Sequence, residues 1–140
     1  MKRSLVLAIA AFGATACSDI VTSQYATLAD AEADRLFLRG WLPKVLPPTA
    51  VNIQVSNDLD LNLSWGSFEF SPGEYVLLEE SLSAYETPEK PFTYVEDNSE
   101  THITRGYPAI KIQNPGSKWL FLCKPDEGRC TYSMETRRYE

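Results

Sequence analysis

The chain has 140 residues and a formal net charge of −6, with 19 acidic against 13 basic side chains. That length suits one domain with a modest core. The acidic balance argues against nucleic acid as a partner, because proteins that bind nucleic acid present basic patches to its phosphates.

The first residues predict a secretion signal. Met1-Lys2-Arg3 is a short basic segment, residues 5–12 are apolar, and Ala14-Thr15-Ala16 supplies small residues before Cys17. The apolar run is too short for a membrane-spanning helix, which needs about 20 residues. We therefore predict a signal peptide over residues 1–16. Its removal takes two basic residues with it and changes the formal net charge from −6 to −8.

Small residues followed by a cysteine resemble a bacterial lipobox, with Cys17 as the lipidated residue. The chain has three cysteines, and lipidation of Cys17 accounts for the odd one. Ser18, rather than aspartate, resembles the signal for outer-membrane sorting in lipoproteins. We expect acyl chains on Cys17 to hold the protein on the outer membrane, facing the periplasm. The alternative is a soluble periplasmic protein with a free thiol.

Residues 17–25 are predicted to be a tether, and residues 26–140 a single domain. The first element of that domain is a predicted long helix from Leu28 to Arg39. Thr27 suits its N-cap, with an acidic residue three positions on as in a capping box. Gly40 suits the position that follows a helix end.

Two predicted strands follow a proline-rich connection over residues 41–48, whose apolar side chains are expected to cap the core. Apolar residues alternate with polar ones in both strands: Val51, Ile53 and Val55 in the first, and Leu59, Leu61, Leu63 and Trp65 in the second. We predict an antiparallel hairpin that turns at Asn57-Asp58. The phase of the alternation changes after Gly66, which predicts a β-bulge there.

The remainder of the chain predicts a short helix and more sheet. Ser71-Pro72-Gly73-Glu74 favours a helix start, and the helix is expected to end near Ser81. Residues 84–98 are predicted to be an exposed excursion with a short strand at 92–95, and a weak strand is expected at Ile110 and Ile112. The fold class is therefore α+β: a mainly antiparallel sheet of about five strands packed with one long and one short helix.

A terminal hairpin is predicted from Trp119 to Met134. It would place Cys123 opposite Cys130, and we predict a disulfide between them in the oxidising periplasm. Metal binding is the alternative for this pair, but further cysteine or histidine ligands are lacking.

One stretch has the spacing of calcium-loop ligands: Asp58, Asp60, Asn62, Ser64 and Glu69. Leu63 stands where such a loop needs a sharply turning glycine, and no helices are predicted on either side. A strand would place these polar residues in a row on one solvated face, which is the interpretation we adopt, with no metal site. Trp41 together with Asp58, Asp60 and Asn62 is the candidate binding surface, although aromatic residues of a small domain more often form its core.

Catalytic motifs are missing from the sequence. His102 is the only histidine, which is a thin basis for acid–base chemistry, and no nucleophile motif or glycine-rich phosphate loop is present. We expect no catalytic residues, no cofactor and no enzymatic activity.

One run of residues resembles a family pattern: Gly40-Trp41-Leu42-Pro43, Leu46-Pro47-Pro48-Thr49-Ala50, Ile53, Asn57 to Asn62 and Phe68-Glu69-Phe70. It is similar to small bacterial proteins, many of them lipoproteins, described as YbbD head-domain-like, and it covers about a third of the chain. The resemblance implies an α+β envelope domain and brings no established activity.

We therefore expect a lipid-anchored cell-envelope protein that acts as a non-enzymatic binding or assembly module, with the membrane and an envelope protein as partners. An immunity- or inhibitor-type protein is the alternative, suggested by small size and acidity. The remaining alternative is an envelope hydrolase.

Overall fold

The computed structural model of this chain describes residues 19–136. The predicted signal peptide and Cys17 therefore lie outside the described residues. Six strands form one antiparallel sheet, and a few short helices accompany it. The fold is a single small α+β domain, as predicted, although its sheet has six strands rather than about five.

The strands are β1 (Ile20–Thr27), β2 (Val51–Asp58), β3 (Leu63–Glu69), β4 (Ala109–Gln113), β5 (Ser117–Lys124) and β6 (Arg129–Thr136). The helices are α1 (Leu28–Ala33), α2 (Tyr75–Ser83) and α3 (Ser99–Thr104), with 3-10 turns at Pro72–Glu74 and Pro125–Glu127. The spatial order of the strands is β1-β2-β3-β6-β5-β4. Two three-stranded meanders thus meet at the central β3–β6 pair.

Strand β1 occupies most of the region predicted to be a tether. It pairs antiparallel with β2, from Ile20 opposite Asp58 to Thr27 opposite Val51. Tyr25 is buried, and the other side chains of β1 are exposed or half-buried, as expected of an edge strand. The tether predicted over residues 17–25 is therefore wrong from Ile20 onwards.

Helix α1 begins as predicted. The side chain of Thr27 accepts a hydrogen bond from the Asp30 N–H at 3.2 Å, and the Asp30 carboxylate accepts one from the Thr27 N–H at 3.0 Å. These reciprocal bonds form the predicted capping box and satisfy two N–H groups at the helix start.

The end of α1 comes much earlier than predicted. Arg35 has a left-handed φ of 59°, and the N–H groups of Arg35 and Leu36 bond to the carbonyls of Glu32 and Ala31. This is a Schellman motif, which closes a helix and turns the chain away. It brings Leu36 into the core with 0% exposure. The predicted long helix to Arg39 is therefore wrong.

Strands β2 and β3 form the predicted hairpin, but it turns at residues 59–62 rather than at Asn57-Asp58, which end β2. The bulge lies in β2. The register of the pair shifts between Val51 and Gln54, and Asn52 has a φ of 50°. Gly66 pairs regularly with β2, and a Cβ there would lie 1.9 Å from the Gln54 carbonyl oxygen. Gly66 is therefore a point of close backbone approach rather than a bulge.

The inner face of β3 also differs from the prediction. Ser64 and Phe68 are buried, whereas Trp65 points outward and is 40% exposed. Leu59 and Leu61 lie in the turn before the strand, at 48% and 42% exposure. The alternating leucines therefore do not form the core side of a strand, because the strand begins only at Leu63.

The core lies on one face of the sheet, beneath α1, the connection after it, and α2. The buried residues of the sheet include Ile53, Val55, Phe68, Trp119, Phe121 and Tyr132. The covering layer contributes Ala31, Leu36, Leu42, Val45, Leu78 and Leu82. The predicted role of the proline-rich connection as a cap on the core is confirmed.

The second meander contains the predicted strand β4 and the predicted terminal hairpin β5–β6. Cys123 and Cys130 lie directly opposite one another in that hairpin, with Cα atoms 4.1 Å apart, and they form the predicted disulfide. Residues 92–95 are not a strand, so that prediction is wrong. Helix α3 was not expected from the sequence.

Candidate functional surface

The polar residues of the predicted binding surface lie at the β2–β3 turn. Asp58 Oδ1 accepts hydrogen bonds from the N–H groups of Asp60 at 3.1 Å and Leu61 at 3.0 Å, which is the geometry of an Asx turn. Asn62 has a φ of 53°, which asparagine tolerates, and its carbonyl accepts the Thr136 N–H at 3.3 Å. The solvated strand face predicted for these residues is therefore wrong, since they shape a turn.

Ser64, the next polar residue of the calcium-like spacing, points into the core. Its hydroxyl lies 3.2 Å from the Tyr132 hydroxyl, and the two share a hydrogen bond. Burial raises the pKa of Tyr132 far above that of an ordinary tyrosine. Within residues 19–136, no group of three or more histidine, cysteine, aspartate or glutamate side chains is arranged to hold a metal ion.

Trp41 lies in another part of the fold. It is half-buried against the core, and its carbonyl accepts a hydrogen bond from Trp119 Nε1 at 3.4 Å. Among the described residues, no hydrogen bond or ion pair joins Trp41 to the β2–β3 turn. A binding surface made of Trp41, Asp58, Asp60 and Asn62 stays a prediction, with its members on different elements.

A surface that the sequence did not predict lies on the sheet face opposite the core. Trp65 stands in a row of paired residues, between Ser56 of β2 and Ser133 of β6, with Thr22 of β1 beyond Ser56. The hydroxyls of Thr22 and Ser56 lie 3.1 Å apart and share a hydrogen bond. The next row adds Gln24, Gln54, Ser67 and Thr131.

We call these eight residues the Trp65 face. Each is exposed or half-buried, and none is charged. The face is thus an uncharged patch of hydroxyl and amide groups with one indole among them. Small polar residues at every second position around Trp65 were the available sequence signal. The signal is hidden because the predicted alternation places Trp65 on the core side of the strand.

The other half of the same sheet face is covered by residues 91–97. Lys118 Nζ and Glu135 Oε1 form an ion pair at 2.7 Å, with side chains only 8% and 3% exposed. The Glu135 carboxylate also accepts hydrogen bonds from the N–H groups of Thr93, Tyr94 and Val95, at 2.8 to 3.3 Å. Lys118 Nζ donates to the Pro91 carbonyl at 2.7 Å. We call this arrangement the Lys118–Glu135 clamp.

The clamp changes the ionisation of its acid. Burial by itself would raise the pKa of Glu135, but the Lys118 ammonium and the N–H groups of Tyr94 and Thr93 favour the charged form more strongly. The pKa of Glu135 is therefore lowered. Both charges are satisfied by partners within the fold, so the clamp holds residues 91–97 against the sheet.

His102 packs and hydrogen-bonds within the fold. It lies in α3, and its Nε2 is 2.9 Å from the Cys123 carbonyl oxygen. Its ring centroid is 5.3 Å from that of Tyr107. These contacts tie α3 to β5.

Two open clefts adjoin the turn between β4 and β5, with volumes of about 410 and 500 Å³. They share Tyr85, Asn114 and Pro115 in their walls. Glu86 is the only charged residue lining the first, and Lys44 the only one lining the second. Neither cleft therefore brings together an acid and a base.

A sequence profile of the YbbD head domain matches residues 19–69. The matched part spans β1, α1, β2 and β3, which together form the first meander and its covering connection. The match supports the resemblance noted in the sequence. No curated protein and no solved structure matched the chain.

Proposed function

We propose that this protein is a lipid-anchored, non-enzymatic binding module of the bacterial envelope, and that it presents the Trp65 face to another envelope protein. The observation that carries the proposal is the exposed indole at the centre of a neutral sheet face. The anchor is supported by the lipobox-like segment before Cys17 and by the odd number of cysteines. Among the described helices, none is long and apolar enough to cross a membrane.

The composition of the Trp65 face suits a protein partner. The centres of protein–protein interfaces are depleted in charge and enriched in tryptophan, and their rims are polar. Trp65 supplies a central aromatic group, and the hydroxyl and amide side chains around it supply hydrogen-bonding groups. The clamp supports the same assignment, because residues 91–97 cover the neighbouring half of the face and leave this half open.

In-cell photo-cross-linking tests the partner. A photoreactive amino acid placed at Thr131, in the row next to that of Trp65, should join the full-length protein to one envelope protein. The matched control is the same group at Leu77 in α2, which is 42% exposed against 40% for Trp65. Trp65→Ala should weaken binding of the purified partner by about tenfold or more, as expected for a central aromatic residue. Val76→Ala on α2 should leave binding unchanged.

Two outcomes would contradict the proposal. The Trp65 face would not be the binding surface if the cross-linked products from Thr131 matched those from Leu77. The same conclusion would follow if Trp65→Ala left binding of the partner unchanged. A partner that proves to be a toxin neutralised by this chain would replace the assembly role with the inhibitor role.

The intact mass of the mature protein tests the anchor separately. We expect a chain that begins at Cys17 and carries acyl groups. A mass equal to that of the unmodified chain would overturn lipid anchoring.

A further inference from the structure

Four large aliphatic side chains are exposed at one end of the sheet, with Ile20 and Val21 on opposite faces of β1. Ile20 and Val21 begin β1 at 45% and 48% exposure, and Leu59 and Leu61 lie in the β2–β3 turn at 48% and 42%. We call these four residues the apolar tip. Exposing such side chains to water is unfavourable, because burying apolar surface is what stabilises most folded structures.

The two parts of the apolar tip are joined by backbone contacts. The Leu59 N–H donates to the Asp19 carbonyl at 3.1 Å, and Ile20 is paired with Asp58, immediately before the turn. The turn is therefore held beside the first residues of β1. It is also fixed in shape, since Asp58 bonds to the N–H groups that follow it.

The place where the chain enters the fold distinguishes this tip from other exposed apolar residues. Val76 and Leu77 of α2 are exposed to a similar extent, but α2 follows the end of β3 that is opposite the β2–β3 turn. Cys17 precedes Asp19 by two residues, which span at most about 7 Å when extended. Acyl chains on Cys17 would hold the apolar tip at the membrane surface.

Three acidic residues, Asp19, Asp58 and Asp60, lie beside the apolar tip. The carboxyl of Asp60 hydrogen-bonds with that of Asp19, which raises the pKa of Asp60, and Asp58 adds to the effect.

We infer that the apolar tip rests on the lipid bilayer, with Ile20, Val21, Leu59 and Leu61 in contact with the interfacial region. This inference rests on the proposed lipidation of Cys17. It sets the orientation of the domain: the strands rise from the membrane, and the loops at the far ends of β2, β3 and β6 point away from it.

Spin labels measure this contact directly. With Cys17 acylated and Cys123 and Cys130 in a disulfide, a cysteine introduced by Leu59→Cys or Leu61→Cys is the one free thiol for a nitroxide label. The acylated protein is placed in phosphatidylcholine vesicles, and relaxation by oxygen is compared with relaxation by a water-soluble nickel chelate. Leu77→Cys is the matched control, since Leu77 and Leu61 are both 42% exposed.

The tip labels should favour oxygen over nickel by at least severalfold more than the Leu77 label. The unacylated Cys17→Ser form in solution should show no such difference. Amide exchange of the unlabelled acylated protein provides a second measurement, with slower exchange over residues 59–62 in vesicles than in the Cys17→Ser form.

The outcomes separate the two proposals. Acylated protein whose tip labels and turn amides remain as accessible as those of the Cys17→Ser form would overturn the bilayer contact and leave the anchor standing. An unmodified Cys17 in the mature chain would overturn the anchor and the bilayer contact together.

Discussion

Glycine positions show how single residues decide the packing of this sheet. Gly66 lies in the central strand β3, where a Cβ would meet the Gln54 carbonyl oxygen at 1.9 Å and the Tyr132 ring at 2.9 Å. Carbonyl groups of a sheet cannot move aside without loss of their hydrogen bonds. Any side chain at Gly66 must therefore push β2 or Tyr132 out of place.

Gly66→Ala should lower the free energy of unfolding by about 3 kcal/mol, the upper range for an overpacked core site. Gly116→Ala is the matched control, because no atom lies within 4 Å of the Cβ position there. We expect that control to change stability by less than about 0.5 kcal/mol. Urea unfolding of both variants measures the difference, and equal midpoints would contradict the role of close approach at Gly66.

At the scale of elements, the segment 91–97 depends on two buried charges rather than on secondary structure. The Lys118–Glu135 pair lies between adjacent residues of β5 and β6. A buried ion pair is not in itself strongly stabilising, but loss of one partner leaves the other charge unpaired in the interior. The stability of the covering segment is therefore tied to the charge of one carboxylate.

Glu135→Gln should destabilise the protein by about 3 kcal/mol and should speed the exchange of the amides of residues 93–95. Glu127→Gln is the control, since the Glu127–Lys124 pair is exposed, with atoms 3.5 Å apart. Exposed pairs contribute about 0 to 1 kcal/mol. Unfolding by urea and hydrogen exchange by mass spectrometry test both, and slow exchange at residues 93–95 in Glu135→Gln would argue against the clamp.

The clamp also predicts a response to acid. The pKa of Glu135 is lower in the folded protein than its ordinary value of 4.5. The stabilisation that ionised Glu135 gives to the folded protein is therefore complete above the unfolded-state pKa of this carboxyl. It is lost as the pH falls through the folded-state pKa. The difference in unfolding free energy between the wild type and Glu135→Gln should shrink from neutral pH to about pH 3. A constant difference over that interval would contradict the ionised clamp.

For the molecule as a whole, the six-stranded sheet is complete only when both halves of the chain are present. The first meander ends at β3, and the other side of β3 is paired with β6 over seven residues, from Leu63 opposite Glu135 to Glu69 opposite Arg129. The part of the chain similar to the YbbD head domain is thus one half of a continuous sheet. The second meander supplies β6, the strand that pairs with β3.

A chain that starts at Ala26 should fail to fold as one cooperative unit, because it lacks most of β1. Tyr25, which is 8% exposed, would be lost from the core, and the edge of β2 would be open to aggregation. A chain that starts at Ser18 is the control and should unfold cooperatively. Urea unfolding and size-exclusion chromatography compare them, and equal behaviour would mean that β1 is dispensable.

The sequence predicted the features that depend on local pattern. The fold class, the β2–β3 and β5–β6 hairpins, the capping box at Thr27 and the disulfide were all predicted from neighbouring residues. The failures came from tertiary requirements: α1 ends early because Leu36 turns into the core, and β1 is recognised only through its pairing with β2. The Trp65 face was missed because a one-residue error in phase moves a side chain to the opposite face of a strand.

The β2–β3 turn bonds to both ends of the described chain, through Leu59 to Asp19 and through Asn62 to Thr136. The first and last described residues, Asp19 and Thr136, therefore both lie beside one four-residue turn. A domain with adjacent termini can be inserted into a surface loop of a host protein, or circularly permuted by a short linker, without disturbing its core. A new opening would suit residues 87–90, which lie between α2 and the clamped segment 91–97 and are exposed or half-buried.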